Sequence, residues 1–176
     1  MTALPPVGSI GLVRVRGLAG LLIRFGQWLN GDGFENYEHA FMLTSGVSVD
    51  DSFVVEAEPG GVREVALSRY RGRKVLWLPC PEQYSFDVAT AARSYVGIDY
   101  SFADYFAIAA RRLDLPGAPV LRREVSNSRH QICSAMVDAA AAQGGWSLFQ
   151  GGMWPGYVTP AELARLAPKG AVPELV

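Results

Sequence analysis

The chain has 176 residues, of which 49% are hydrophobic and 19% charged, and its formal net charge is −1. This length and balance predict one globular domain over residues 1–176 with a core of its own, and they exclude a disordered chain. The near-neutral charge argues against nucleic-acid binding, because proteins that bind nucleic acids normally carry a basic face.

The cysteine and histidine content limits the possible chemistry. There are two cysteines, Cys80 and Cys133, and two histidines, His39 and His130. Two cysteines are too few for a disulfide framework, and neither belongs to a CxxC pair. Because the histidines lie far apart in the sequence, a zinc site is weakly supported, and we predict neither a metal nor a cofactor.

The N-terminal residues give an expectation about location. No basic region precedes an apolar stretch at the start of the chain, which argues against a secretory signal. Arginines and glycines interrupt the apolar segment Leu12–Leu29. Its unbroken apolar runs are therefore shorter than the roughly 20 residues that a membrane span needs. We therefore expect a cytoplasmic protein. The helical spacing in Gly17–Leu29 favours core packing, with contact to a membrane surface as the alternative.

Several short segments of the first half have strand-like patterns. They are Gly8–Val15, Tyr37–Leu43, Phe53–Ala57, Val62–Leu67 and Arg73–Leu78. These runs are rich in apolar and β-branched residues and are separated by turn signals. Short strands that follow one another through tight turns predict a small antiparallel sheet.

The second half of the chain is mostly helical in pattern. The predicted helices are Ser85–Tyr95, Ser101–Leu113, a helix that carries Cys133, with Ser126 or Asn127 as its N-cap and the Gly144-Gly145 pair as its end, and a proline-led segment from Thr159 to Leu166. In the first of these helices, Phe86, Ala89, Ala92 and Arg93 share one helical face. Strands that come first and helices that follow predict an α+β fold.

Cys133 is the candidate nucleophile. It lies where the helical pattern of Arg129–Asp138 begins. The first turn of a helix presents unpaired N–H groups and the positive end of the macrodipole, which favour the reactive thiolate. A lone cysteine in a helix is nevertheless more often a small buried hydrophobic residue, and we interpret Cys80, between two prolines, in that way.

His39 and Glu56 are the candidate partners of Cys133. Each lies in a strand-like run, and a polar turn of about ten residues connects the two runs, which permits antiparallel pairing. His39 would then take the thiol proton, and Glu56 would orient the imidazole. The alternative base is His130, three residues before Cys133 on the same helical face, but it has no evident acidic partner beyond Glu124.

Four short motifs occur here in the order that is typical of one known group. They are Glu38-His39-Ala40-Phe41, Val55-Glu56-Ala57 with Gly61-Val62, Gly97-Ile98-Asp99-Tyr100, and Cys133-Ser134-Ala135-Met136-Val137. From Val7 to about Ala142 the chain resembles the circularly permuted papain-fold hydrolases of the NlpC superfamily, often called YiiX-like. The resemblance implies a permuted papain-like fold with the nucleophile at a helix N-terminus, catalysis by Cys133, His39 and Glu56, and Tyr100 lining the substrate site.

The leading hypothesis is a cysteine peptidase or amidase that cleaves an amide bond, by fold analogy in a cell-wall peptide or an acyl-amino conjugate. A lipid-directed acyltransferase or thioesterase is the second hypothesis, in which the Leu18–Leu29 segment and the aromatic residues Phe102, Tyr105 and Phe106 would contact lipid. The third is a catalytically silent module that binds a glycan or a protein through the segment Trp146–Tyr157, which is rich in aromatic residues and glycine. High alanine, arginine and glycine with little lysine suggests a bacterial or phage source.

Overall fold

A computed structural model describes residues 4–15, 37–58, 60–98, 133–149, 158–168 and 175. The strands of this part of the chain are β1 (Ile10–Val13), β2 (His39–Ser45), β3 (Phe53–Glu58), β4 (Gly61–Ala66) and β5 (Val75–Leu78). Its α-helices are α1 (Ser85–Ser94), α2 (Cys133–Gln143) and α3 (Pro160–Leu166). The predicted α+β class with an antiparallel sheet is therefore confirmed for the described residues.

The strand that carries His39 lies at the centre of the sheet. The strand order is β4-β3-β2-β1-β5, and all neighbouring strands run antiparallel. The strands of His39 and Glu56 are thus direct neighbours, as the short polar turn between them predicts. Phe41 is the residue of β2 that lies opposite Glu56.

Both faces of β2 are buried, which explains its almost continuous apolar sequence. Ala40 and Met42 belong to a core cluster that includes residues of α1 and α2. Phe41 and Leu43 point to the opposite face and belong to a second cluster, with Tyr70 and several residues from β1, β3 and β5. His39 stands at the start of this strand, where both clusters are within reach of its ring.

A glycine in β1 makes room for the largest side chain of β2. Gly11 lies opposite Phe41, and a Cβ atom on Gly11 would come within 2.3 Å of the Phe41 ring. Because Gly11 has no side chain, the Phe41 ring lies across β1 and reaches the aromatic residues of the second cluster. It stacks on Tyr70 at 4.4 Å between ring centroids and meets Trp77 edge-on at 5.6 Å.

The helix boundaries follow local sequence signals. Thr159 and Glu162 form the two reciprocal hydrogen bonds of a capping box at the start of α3, with Pro160 in its first turn. Gly145, which follows α2, has the positive φ of 86° that favours glycine at a helix end.

The helical face that the sequence pattern picks out in α1 is buried only in part. Phe86 does not pack into the core with Ala89 and Ala92, since it is 80% exposed. Val88 and Ala91 complete the buried face of α1 instead. The face of a helix that is buried depends on how the helix docks, and a single large residue near its end does not determine that docking.

Two predicted helices, Gly17–Leu29 and Ser101–Leu113, lie outside the described residues. Among the helices that are described, none has both the length and the hydrophobicity that crossing a bilayer requires.

Candidate active site

His39, at the start of β2, connects the two sides of the site. Its Nε2 atom lies 3.2 Å from Oε2 of Glu56 and 3.1 Å from the hydroxyl oxygen of Tyr70. Its ring also interacts with the thiol of Cys133. Because Nε2 faces Glu56 and Tyr70, Nδ1 is the nitrogen left for the sulfur. The structure therefore brings together the three residues that the sequence singles out.

Glu56 is fully buried in the middle of β3, and donors surround its carboxylate. Oε1 accepts hydrogen bonds from Nε and Nη2 of Arg63, at 3.0 and 2.9 Å. Oε2 accepts from Nε2 of His39 and from the hydroxyl of Tyr70. Each oxygen thus has two donors, which compensates for the loss of water around a buried charge.

Cys133, the first described residue of α2, is buried, and polar groups lie around its sulfur. They are the side chain of His39 and the backbone amides of Ala40 and Ser134. The hydroxyl of Ser134 donates to the carbonyl of Val158 at 2.6 Å, which ties this end of the helix to the segment before α3. The predicted N-cap residues, Ser126 and Asn127, lie outside the described residues.

The proton affinities of the cysteine and the histidine shift in opposite directions. Burial alone would raise the pKa of Cys133, but the hydrogen bond and charge of His39, together with the two backbone amides, lower it overall. Burial alone would lower the pKa of His39, but hydrogen bonds and charges from Cys133 and Glu56 raise it to about 10. Both shifts favour a thiolate–imidazolium pair at neutral pH.

Glu56 supplies the negative charge that supports the imidazolium. Burial would raise the pKa of this carboxyl, but hydrogen bonds from His39 and Tyr70, the charge of His39 and the contact with Arg63 lower it to about 2. The group therefore stays ionised across the physiological range. Its charge is balanced on one side by His39 and on the other by Arg63.

Three side chains of this region have the minimum arrangement for a metal site. Ligand atoms of His39, Glu56 and Glu58 lie within 4.8 Å of one another. However, Arg63 donates to both carboxylates, and Arg69 approaches both, at 3.8 Å from Glu56 and 3.5 Å from Glu58. Since these guanidinium groups already neutralise the acids, a cation would have to displace them, and we assign no metal to this cluster.

Two partners of Glu56, Arg63 and Tyr70, were not predicted from the sequence, although the hairpin pattern could have identified Arg63. In the β3–β4 hairpin, Glu58 pairs with Gly61 and Glu56 pairs with Arg63. The glycine-rich turn predicts this hairpin, and counting back from it would have placed Arg63 opposite Glu56. Tyr70 gave no such signal, because it reaches the site from the 3-10 helix Leu67–Tyr70.

Four other features singled out in the sequence are Tyr100, His130, the aromatic segment and Cys80. Tyr100 and His130 both lie outside the described residues, as do Gln150–Tyr157 of the aromatic segment. Cys80 is buried at the end of β5, where its sulfur donates to the carbonyl of Pro81 at 3.5 Å.

No family model, curated protein or solved structure matches this chain.

Proposed function

We propose that the protein is a cysteine-dependent acyl hydrolase, an amidase or peptidase that works through a thioester intermediate. The observation that carries this proposal is the buried contact of Cys133 with His39, together with the hydrogen bond from His39 to Glu56. A pair of cysteine and histidine with an acidic partner is the arrangement that activates a thiol for nucleophilic attack.

In the first half of the reaction the thiolate of Cys133 attacks the carbonyl carbon of the substrate. A C–S bond forms and the carbonyl electrons move to oxygen, where backbone N–H groups at the start of α2, including that of Cys133, stabilise the oxyanion. When the carbonyl re-forms, the bond to the leaving amine breaks. The imidazolium of His39 gives its Nδ1 proton to that amine, and the thioester remains on Cys133.

In the second half a water molecule attacks the thioester carbon. His39, now neutral, takes a proton from this water through Nδ1, and the C–S bond breaks as the carboxylic acid leaves. This restores the thiolate and the imidazolium. Glu56 acts throughout as the partner of Nε2, holding the ring orientation and stabilising its positive charge.

The order of the motifs supports membership of the permuted papain-fold group as part of the same proposal. The central strand with His39, the neighbouring strand with Glu56 and the later helix with Cys133 occur in the order that this resemblance requires. The substrate class that fits is a peptide or an acyl amide. The residues on which a lipid substrate would depend, Leu18–Leu29 and Phe102–Phe106, lie outside the described part of the chain.

Turnover of a small acyl probe tests the proposal. We expect the protein to hydrolyse p-nitrophenyl acetate and to carry an acetyl group on Cys133, detectable by peptide mass spectrometry. Cys133→Ala should lower the rate more than about 10³-fold, as the loss of a nucleophile does in enzymes of this kind. Cys80→Ala is the matched control, because it removes an equally buried thiol, and it should leave turnover unchanged. Equal rates for the wild type and Cys133→Ala would contradict the proposal.

A further inference from the structure

We propose that Tyr70 is a positioning residue of this site, which fixes the Glu56 carboxylate and, through it, the imidazole of His39. The inference rests on the proposed function, since it concerns the residues that orient the base. Tyr70 contacts both members of the pair: its hydroxyl donates to Oε2 of Glu56, and its oxygen lies 3.1 Å from Nε2 of His39.

The hydroxyl of Tyr70 completes the hydrogen bonding at one carboxylate oxygen. When His39 is an imidazolium, its Nε2–H can donate to both Oε2 of Glu56 and the oxygen of Tyr70, while Tyr70 donates its own proton to the carboxylate. The three groups then form a closed triangle. Without the hydroxyl, His39 alone would fix Oε2, and the carboxylate could rotate away from the ring.

Arg63 cannot replace Tyr70 in this role. On the Glu56 carboxylate its guanidinium bonds only to Oε1, the oxygen that faces away from His39, and it also bonds to Glu58. Its side chain is also 40% exposed, so water competes for its donors. Tyr70, by contrast, is buried with 3% exposure, and its hydroxyl keeps its proton because burial and the charge of Glu56 raise its pKa well above the ordinary value.

The aromatic ring of Tyr70 is held rigidly by its surroundings. Phe41 stacks on it at 4.4 Å between ring centroids, and the guanidinium of Arg73 lies over the ring, 5.7 Å from its centroid. Phe41 is in turn held in place by the space that Gly11 leaves open. A donor whose ring is already fixed orients the carboxylate at little further cost in conformational entropy.

The test is Tyr70→Phe, which removes the hydroxyl and keeps the ring that packs on Phe41. A hydrogen bond to a charged group contributes enough that we expect the pKa of Glu56, followed through its carboxyl ¹³C shift, to rise by about one to two units. For p-nitrophenyl acetate we expect kcat to fall about tenfold to a hundredfold, with KM unchanged. Tyr84→Phe, at a tyrosine next to α1, is the matched control and should change neither quantity.

The possible outcomes separate this inference from the proposed function. If Tyr70→Phe leaves both the Glu56 titration and kcat unchanged while Cys133→Ala abolishes turnover, Tyr70 has no positioning role and the hydrolase proposal stands. If Cys133→Ala has no effect on turnover, the hydrolase proposal fails. The carboxyl titration, which requires no substrate, would then still show whether Tyr70 fixes Glu56.

Discussion

The two cysteines of this protein are similarly buried, but their thiol pKa values shift in opposite directions. Cys80 is 2% exposed and Cys133 is 3% exposed. Around Cys80, burial alone raises the pKa of the thiol to about 11, and the thiol proton points to the carbonyl of Pro81. Around Cys133, the imidazole of His39 and two backbone amides outweigh the same effect of burial.

The difference shows that exposure does not determine the direction in which the pKa of a cysteine shifts in this fold. What separates the two thiols is their neighbours: only burial acts on Cys80 and favours its neutral form, whereas N–H donors and a positive charge beside Cys133 stabilise the anion. Since an unpaired charge is costly inside a protein, the pairing of Cys133 with His39 is what permits a buried thiolate.

Alkylation by iodoacetamide should separate the two thiols most strongly. Only the thiolate reacts, so at pH 7 we expect Cys133 to react about 10²- to 10³-fold faster than Cys80, after allowing for the weaker nucleophilicity of a thiolate of low pKa. The rate at Cys80 should increase with pH up to about 11, while the rate at Cys133 should level off at a lower pH. Peptide mass spectrometry of both sites in one sample measures the ratio.

His39→Gln provides the control for this experiment. Without the imidazole, burial should again dominate at Cys133, and its alkylation at pH 7 should approach the rate at Cys80. If Cys133 still reacted rapidly in this variant, the helix and backbone amides would be sufficient, and His39 would not be the activating group.

Glu56→Gln should reduce the difference in alkylation rate between Cys133 and Cys80, and it should destabilise the fold. The change leaves Arg63 and the imidazolium without their counter-charge, and we expect a loss of about 3 kcal/mol in the free energy of unfolding at pH 7. Because the pKa of Glu56 is lowered from 4.5 to about 2, its stabilising effect is fully present above pH 4.5 and is lost as the pH falls toward 2.

Urea unfolding at pH 7 and at pH 3 measures this effect. The difference between the wild type and Glu56→Gln should become smaller at pH 3. The exposed residue Glu82 serves as the control, since Glu82→Gln should change stability little at either pH. An equal loss of unfolding free energy at both pH values would mean that Glu56 stabilises the fold through the packing of its side chain and not through its charge.

Asp138 and Glu56 form a second pair of buried groups whose pKa values shift in opposite directions. The effect on stability that we expect at Asp138 is the smallest of those predicted here. Its pKa is raised from 3.8 to about 6 by burial and by the charge of Glu162, the opposite of the shift at Glu56. The wild type therefore loses stability as the pH rises from about 4 to 6. Asp138→Asn should avoid this loss and be more stable by about 1–2 kcal/mol at pH 8, with no gain at pH 3.5. Thermal unfolding at the two pH values would show the difference, and a gain at both would exclude titration as the cause.

The sequence by itself determined the local elements and the identity of the chemical groups. The capping box of α3 lies within four consecutive residues, Thr159–Glu162, and the turns are marked by glycine, so short-range preferences were sufficient to predict them. The short connection between the strands of His39 and Glu56 likewise predicted their pairing. Local patterns did not determine which face of α1 is buried, because that depends on docking.

The tertiary structure alone decided how the chemical groups meet. The contact between Cys133 and His39 joins positions 94 residues apart (133 minus 39), and that between Tyr70 and Glu56 depends on a 3-10 helix folding back over the sheet. Such contacts depend on how the helices and loops pack against the sheet, and no periodicity in the chain encodes that packing. For the same reason the sequence identified both cysteines, whereas only the fold gave one an imidazole and the other a carbonyl oxygen.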